Sequence, residues 1–157
     1  MRIAALACVL LLSACGFQLQ GRQVMPASLA TLRVVAVDQQ SDFTRALRTA
    51  LKASGSRLVE ENGADGASVR IVRDELTERV LSVDARNIPT DFELTYQVEV
   101  EVRADGRELM AAESFELSRI YSFDERKLQA KEREKVILRE ALARDMASVV
   151  TRRLSAL

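Results

Sequence analysis

Residues 91–121, DFELTYQVEVEVRADGRELMAAESFELSRIY, are two alternating runs joined by one tight turn. Phe92, Leu94, Tyr96, Val98, Val100 and Val102 alternate with Glu93, Thr95, Gln97, Glu99, Glu101 and Arg103, the period of a half-buried strand. Asp105-Gly106 is the pair that most readily takes the two positive φ angles of a type I′ hairpin turn. With Ala104 opposite Arg107, the register predicts Val102 with Leu109, Val100 with Ala111, Tyr96 with Phe115 and Leu94 with Leu117 on the apolar face. The other face pairs Arg103 with Glu108, Gln97 with Ser114, Thr95 with Glu116 and Glu93 with Ser118. Glu113, opposite Val98, and Arg119, opposite Phe92, are polar exceptions on the apolar side. A hairpin this long with one greasy face needs a cover, and the flanking segments must supply it.

Two amphipathic helices fit that role. Ser41 or Asp42 caps a helix whose Phe43, Ala46, Leu47, Ala50 and Leu51 recur at three and four, with Gly55 just past its end. Its opposite face carries Arg45, Arg48 and Lys52, read as a solvated face. Beyond Tyr121, Ser122-Phe123-Asp124-Glu125 has capping-box form and opens a long helix. The first turns of that helix, residues 126–135, are mostly charged. Val136, Ile137, Leu138, Ala141, Leu142, Met146, Val149 and Val150 then form an apolar stripe that can lie on the sheet. Residues 32–37 make a short β-branched strand, and 57–60 could be another. Residues 68–83 form a long strand whose alternation starts at Val69 and Ile71 and falters through Arg73-Asp74-Glu75. Its phase shifts again at Leu76, Val80, Leu81 and Val83, which calls for one or two bulges of undetermined position or two strand segments.

The chain has 157 residues, 23 basic and 23 acidic, with no His and two cysteines, Cys8 and Cys15. One domain of ordinary size is expected, and the balanced charge gives no pull toward nucleic acid. A Ser-His or Cys-His catalytic pair and the usual zinc sites are excluded by composition. No Gly-rich phosphate loop opens a helix, and Glu93, Glu99 and Glu101 fall where a strand faces solvent. No catalytic residue, metal or cofactor is therefore expected, and the chain reads as a binding or assembly module rather than an enzyme.

At the N-terminus, Met1-Arg2 precedes an apolar run, residues 3–12, of about ten residues, too short for the roughly 20 that span a bilayer. This is the form of a signal peptide. Its end, Leu12-Ser13-Ala14-Cys15, resembles the lipobox of bacterial lipoproteins. That resemblance implies loss of residues 1–14, acylation of Cys15 and a lipid-anchored mature chain. Gly16, not Asp, follows the cysteine, which favours the outer membrane of a Gram-negative bacterium. Residues 15–30 are then the lipidated N-terminus and lead-in, and 31–157 the folded domain.

The opening Cys15-Gly16-Phe17-Gln18-Leu19-Gln20-Gly21, with Pro26 before the first strand, resembles the LptE family of lipopolysaccharide-assembly lipoproteins. So do Phe92-Glu93-Leu94-Thr95-Tyr96, Arg119-Ile120-Tyr121-Ser122-Phe123-Asp124, Leu128-Gln129-Ala130-Lys131-Glu132-Arg133-Glu134, and the run from Asp145-Met146 to Arg152-Arg153-Leu154. The resemblance implies an α+β fold with two helices packed on one face of a mostly antiparallel or mixed four-stranded sheet, close to the pattern above. It implies a partner, the outer-membrane β-barrel LptD, with the lipoprotein as a plug in its lumen and a domain facing the periplasm and that lumen. It also implies lipopolysaccharide as ligand, with Lys131 and Arg86 at the matching basic positions. Arg86-Asn87-Ile88-Pro89 departs from the usual loop, and Gln20 stands where many relatives have Arg. Cations suit lipid A phosphates, but Lys131 beside Glu132 and Glu134 also suits an ordinary surface ion pair. The other reading of the chain is a free-standing lipoprotein that binds an amphiphile, or acts as a chaperone, without a barrel.

Overall fold

The computed structural model of the chain describes residues 24–60, 66–123 and 128–157. The lipobox at 12–15 with Cys15, the 15–21 opening with Gln20, and the acidic half of the 122–125 capping box lie outside them.

The architecture is α+β, with two helices over one mixed sheet. In order the elements are β1 (Thr31–Ala36), α1 (Asp42–Ala53), β2 (Arg57–Leu58), β3 (Ala67–Val83), β4 (Pro89–Ala104), β5 (Arg107–Ser122) and α2 (Leu128–Leu154). The sheet has five strands in the order β2-β1-β3-β4-β5, not four. The additional strand, β2, falls in the 57–60 segment noted above as a possible strand; only two of its residues pair, in parallel, with the start of β1. β1 is parallel to β3, and β3, β4 and β5 form an antiparallel meander.

The Asp105-Gly106 turn forms as expected, with φ of 51° and 74°, and Arg103 faces Glu108. Two register shifts then move β5 along. Val102 faces Met110 rather than Leu109, and Val100 faces Glu113 rather than Ala111. From there Tyr96 faces Leu117 and Leu94 faces Arg119, in place of Phe115 and Leu117. On the other face Gln97 meets Glu116, Thr95 meets Ser118 and Glu93 meets Ile120. Each bulge adds one residue to β5, and a total of two is a whole strand period, so the second half regains the expected faces. Met110 is buried and Leu109 is exposed.

These bulges give the two polar exceptions partners. Glu113, facing Val100, accepts from Arg153 Nε at 3.0 Å, and Arg119, facing Leu94, reaches Asp145 at 2.6 Å. Both partners lie on α2, so the edge strand is fastened to the helix above it by charge at two points. In β3 the register shifts between Ile71 and Arg73 leave Val72 as an extra residue, and further shifts follow between Val80 and Val83. The first shift turns Asp74, Leu76, Glu78 and Val80 toward the helices, because they now pair with the buried-face residues Val98, Tyr96, Leu94 and Phe92.

The core lies between sheet and helices. Leu32, Phe43, Leu47, Leu51, Val69, Val98, Val100, Leu142, Met146, Val150 and Leu154 are its buried centre, joined by Met25 and Leu29 from the lead-in. α1 begins at Ser41, whose Oγ accepts from Thr44 N at 2.9 Å, and Gly55 follows its end with φ of 97°. Of its outward cations, Arg45 pairs with Asp42 at 2.5 Å and Arg48 donates to Gln39. Of the predicted stripe on α2, Leu142, Met146 and Val150 are buried and Leu138 packs against the core margin, whereas Val136 and Ile137 are exposed, because the helix runs past the packed part of the sheet there.

Candidate functional site

The strand directions divide the molecule into two ends. The chain enters β1 at the end where β3 starts and β4 finishes, beside the Asp105-Gly106 turn. The β3–β4 turn, the end of β5 and the start of α2 lie at the opposite end, since Asp91 pairs with Ser122 and Phe123 N donates to Thr90 O at 2.7 Å. At roughly 3.3 Å per residue, the 16-residue β4 puts about 50 Å between those ends. Arg86 and Lys131, the two candidate ligand residues, both fall at the end away from the N-terminal lead-in. No polar contact joins them.

Arg86 sits in the tight turn between Val83 and Pro89. Asn87 adopts φ of 63°, and Asp84 organises the loop by accepting from Ile88 N at 3.0 Å and Arg86 N at 2.8 Å. The Arg86 guanidinium folds onto the other carboxylate oxygen at 3.0 Å while remaining largely exposed. The Ile88 amide, helped by the Arg86 amide and guanidinium, holds the Asp84 carboxyl below its ordinary pKa. Lys131 pairs with Glu134 one turn along α2, at 2.7 Å. Each cation thus has one near anionic neighbour: the exposed Arg86 can exchange its partner in water at little cost, while the Lys131 side chain is only 17% exposed.

Next to them lies a constellation that the sequence pattern does not announce. Glu78, turned inward by the β3 bulge, accepts from Tyr121 Oη at 2.5 Å and from Lys135 Nζ. Burial alone would raise its pKa, but the Lys135 and Tyr121 donors outweigh that and leave it below the ordinary 4.5. Tyr121 is pushed above its usual value by burial and by the Glu78 carboxylate. A second inward acid, Asp74, accepts from Ser41 Oγ at 2.5 Å and from Tyr96 Oη at 2.8 Å, and so ties the N-cap of α1 to the sheet. Burial, and then Asp74, raise the Tyr96 pKa. Arg139 completes the belt by bonding Asp42 at 2.8 Å, which joins the two helices. Phe92 stacks on Tyr121 with centroids 5.6 Å apart, and Phe123 meets Phe92 edge-on at 5.6 Å.

The face of the sheet away from the helices is a polar lattice. Arg70 bonds Glu101 at 2.7 Å, Arg79 bonds Glu93 at 2.5 Å and Gln97 donates to Glu116 at 2.6 Å. Among the described residues no group of three or more His, Cys, Asp or Glu side chains could hold a metal ion. Among them, too, no helix is long and apolar enough to cross a membrane.

Comparison with known proteins gives a consistent result. The family profile described as LptE, lipopolysaccharide-assembly, matches residues 29–154. The LPS-assembly lipoprotein LptE of Pectobacterium atrosepticum is 25% identical over 147 residues, covering 93% of this chain and 79% of that protein. The protein of the same name from Yersinia enterocolitica is 24% identical, covering 93% and 70%. The crystal structure of the rare lipoprotein B from Shewanella oneidensis superposes with a TM-score of 0.70 at 25% identity, covering 80% of this chain and 94% of the other. The solution structure of an uncharacterized lipoprotein B from Nitrosomonas europaea gives a TM-score of 0.72 at 23% identity, covering 90% and 91%, a likeness of fold.

Proposed function

The chain belongs to the LptE family of lipopolysaccharide-assembly lipoproteins, and from that premise we propose that it plugs the β-barrel LptD and assists its assembly. In this reading it takes part in lipopolysaccharide transport to, and insertion into, the outer leaflet. Residues 1–14 are its signal peptide, acyl chains on Cys15 anchor it in the outer membrane, and the domain faces the periplasm and the barrel lumen.

The observation that carries the reading is the family match across residues 29–154, nearly all of the packed domain. The physical character of the surfaces supports it. Wide barrels have polar interiors, and the lattice of Arg70, Arg79, Glu93, Gln97, Glu101 and Glu116 offers polar side chains along a whole sheet face. The separation of the ends suits a tethered protein, because it puts Arg86 and Lys131 about 50 Å of strand from the anchored end.

Lipopolysaccharide is the proposed ligand, with Arg86 and Lys131 donating to lipid A phosphates in exchange for Asp84 and Glu134. A charge-assisted hydrogen bond contributes about 1.5–3 kcal/mol, so reversal of either cation is expected to weaken binding about tenfold or more. Lys131→Glu and Arg86→Glu, each confirmed folded, test this at low and high salt, with Lys131→Arg as the variant that retains affinity. Added salt should weaken the wild type more than the reversed variants. Equal affinity of wild type and both reversals would leave Arg86 and Lys131 as surface ion pairs only.

A further inference from the structure

α2 is held in two different ways along its length. In its second half, Leu142, Ala143, Met146, Ala147, Val150 and Leu154 are all at most 1% exposed. Across residues 131–141 no side chain is buried, and Val136 and Ile137 are 49% and 63% exposed. Among residues 131–141, Lys135 bonds Glu78, Arg139 bonds Asp42, and Leu138 rests against the core margin. Partly exposed ion pairs exchange with water more readily than a buried apolar seam, so the two halves differ in local stability.

Under this first half, the register sets Val80, Phe92 and Tyr121 side by side across three strands on the helix-facing side. Val80 is 49% exposed, and its neighbours Leu81 and Val83 are exposed as well. The row therefore continues from beneath the helix into the open. Arg86 stands in the turn beyond it, and Lys131 on the helix above. An apolar strip between two cations is complementary to an amphiphile with anionic head groups and hydrocarbon chains.

We propose that the Val80–Phe92–Tyr121 row is the acyl-chain subsite for a phosphorylated acyl glycolipid, and that residues 131–140 form a polar-clasped flap over it. The inference rests on the lipopolysaccharide reading above and extends it from the phosphates to the chains. Releasing Lys135 from Glu78 lifts the flap and uncovers the aromatic pair. Phe123, edge-on to Phe92, then closes one side of the strip. The flap's closed state lowers apparent affinity by the fraction of time it is shut, so weakening the clasp should tighten binding.

The test compares two probes on the folded mature protein without detergent: hexaacylated lipopolysaccharide and its fully deacylated phosphosaccharide. The wild type is expected to bind the acylated probe at least about tenfold more tightly, since buried methylenes contribute additively. Val80→Asp, and the milder Val80→Ser should the first lose its fold, are expected to bring that ratio to within about twofold of one. Glu78→Gln is expected to raise affinity for the acylated probe about two- to fivefold, the worth of one partly exposed ion pair. Hydrogen exchange in Glu78→Gln should accelerate at residues 131–140 and not in the second half of α2. A wild-type ratio of one, or a ratio that Val80→Asp leaves intact, overturns the acyl subsite while the phosphate contacts stand. Loss of barrel capture in Val80→Asp with the ratio intact overturns it in favour of a barrel contact. Failure of the wild type to bind either probe overturns the lipopolysaccharide reading together with this one.

Discussion

Val98→Asp puts the assignment of the two sheet faces at risk. Val98 has no exposed surface and lies in β4 between Asp74 of β3 and Phe115 of β5, under the helices. Removing its burial costs about 2 kcal/mol. The new carboxyl would sit beside Asp74, whose oxygens are already engaged by Ser41 and Tyr96, so it must take up a proton or stay unpartnered, for about 2–4 kcal/mol more. The total, about 4–6 kcal/mol, is a large share of the 5–15 kcal/mol typical of a domain. At about 2–4 °C per kcal/mol for a chain of this size, Tm should fall by roughly 10–20 °C. Gln97→Asp, one residue away on the polar face, loses the 2.6 Å bond to Glu116 and gains carboxylate neighbours, for about 1 kcal/mol or less after solvent screening. Thermal melts followed by circular dichroism at pH 7 compare the two. Equal Tm losses, or a larger loss in Gln97→Asp, would refute the assignment.

Two further outcomes follow from the same structure. Glu78 has a lowered pKa in the fold, so its contribution is fully present above 4.5 and is lost as pH falls through the folded value. Glu78→Gln should therefore lower Tm by about 1–3 °C at neutral pH and converge with the wild type once the pH is below the folded value. At the N-terminus, Cys15→Ala exported by a cleavable leader should leave a soluble periplasmic domain, and mass spectrometry of the wild-type N-terminal peptide should find an acylated Cys15. An unmodified cysteine, or retention of residues 1–14, would contradict the anchor.

The elements that were legible in the sequence are those whose determinants are local. Asp105-Gly106 carries its own φ requirement, Ser41 carries its own cap, and Phe43, Leu47 and Leu51 carry their own period. The two bulges between β4 and β5 were not legible at all, because nothing local decides whether Leu109 or Met110 takes the core site. That choice is made where Glu113 can meet Arg153 and Arg119 can meet Asp145, contacts 40 and 26 residues apart in the chain. The alternation breaks at Arg73-Asp74-Glu75 next to the β3 bulge, but neither the bulge's position nor its consequence is visible until Tyr96 and Tyr121 are in place to receive the inward acids. At the candidate site, the Lys131–Glu134 pair follows from helical spacing alone. The Glu78–Tyr121–Lys135 clasp joins three elements and had no signal beyond an acid at the wrong phase.

Affinity capture of the full-length protein from detergent-solubilised outer membrane tests the barrel partnership most directly. The expected result is recovery of a β-barrel, identified as LptD by mass spectrometry, in one-to-one stoichiometry and stable to washes in high salt. Recovery of the lipoprotein alone, from membranes in which that barrel is abundant and folded, would contradict it.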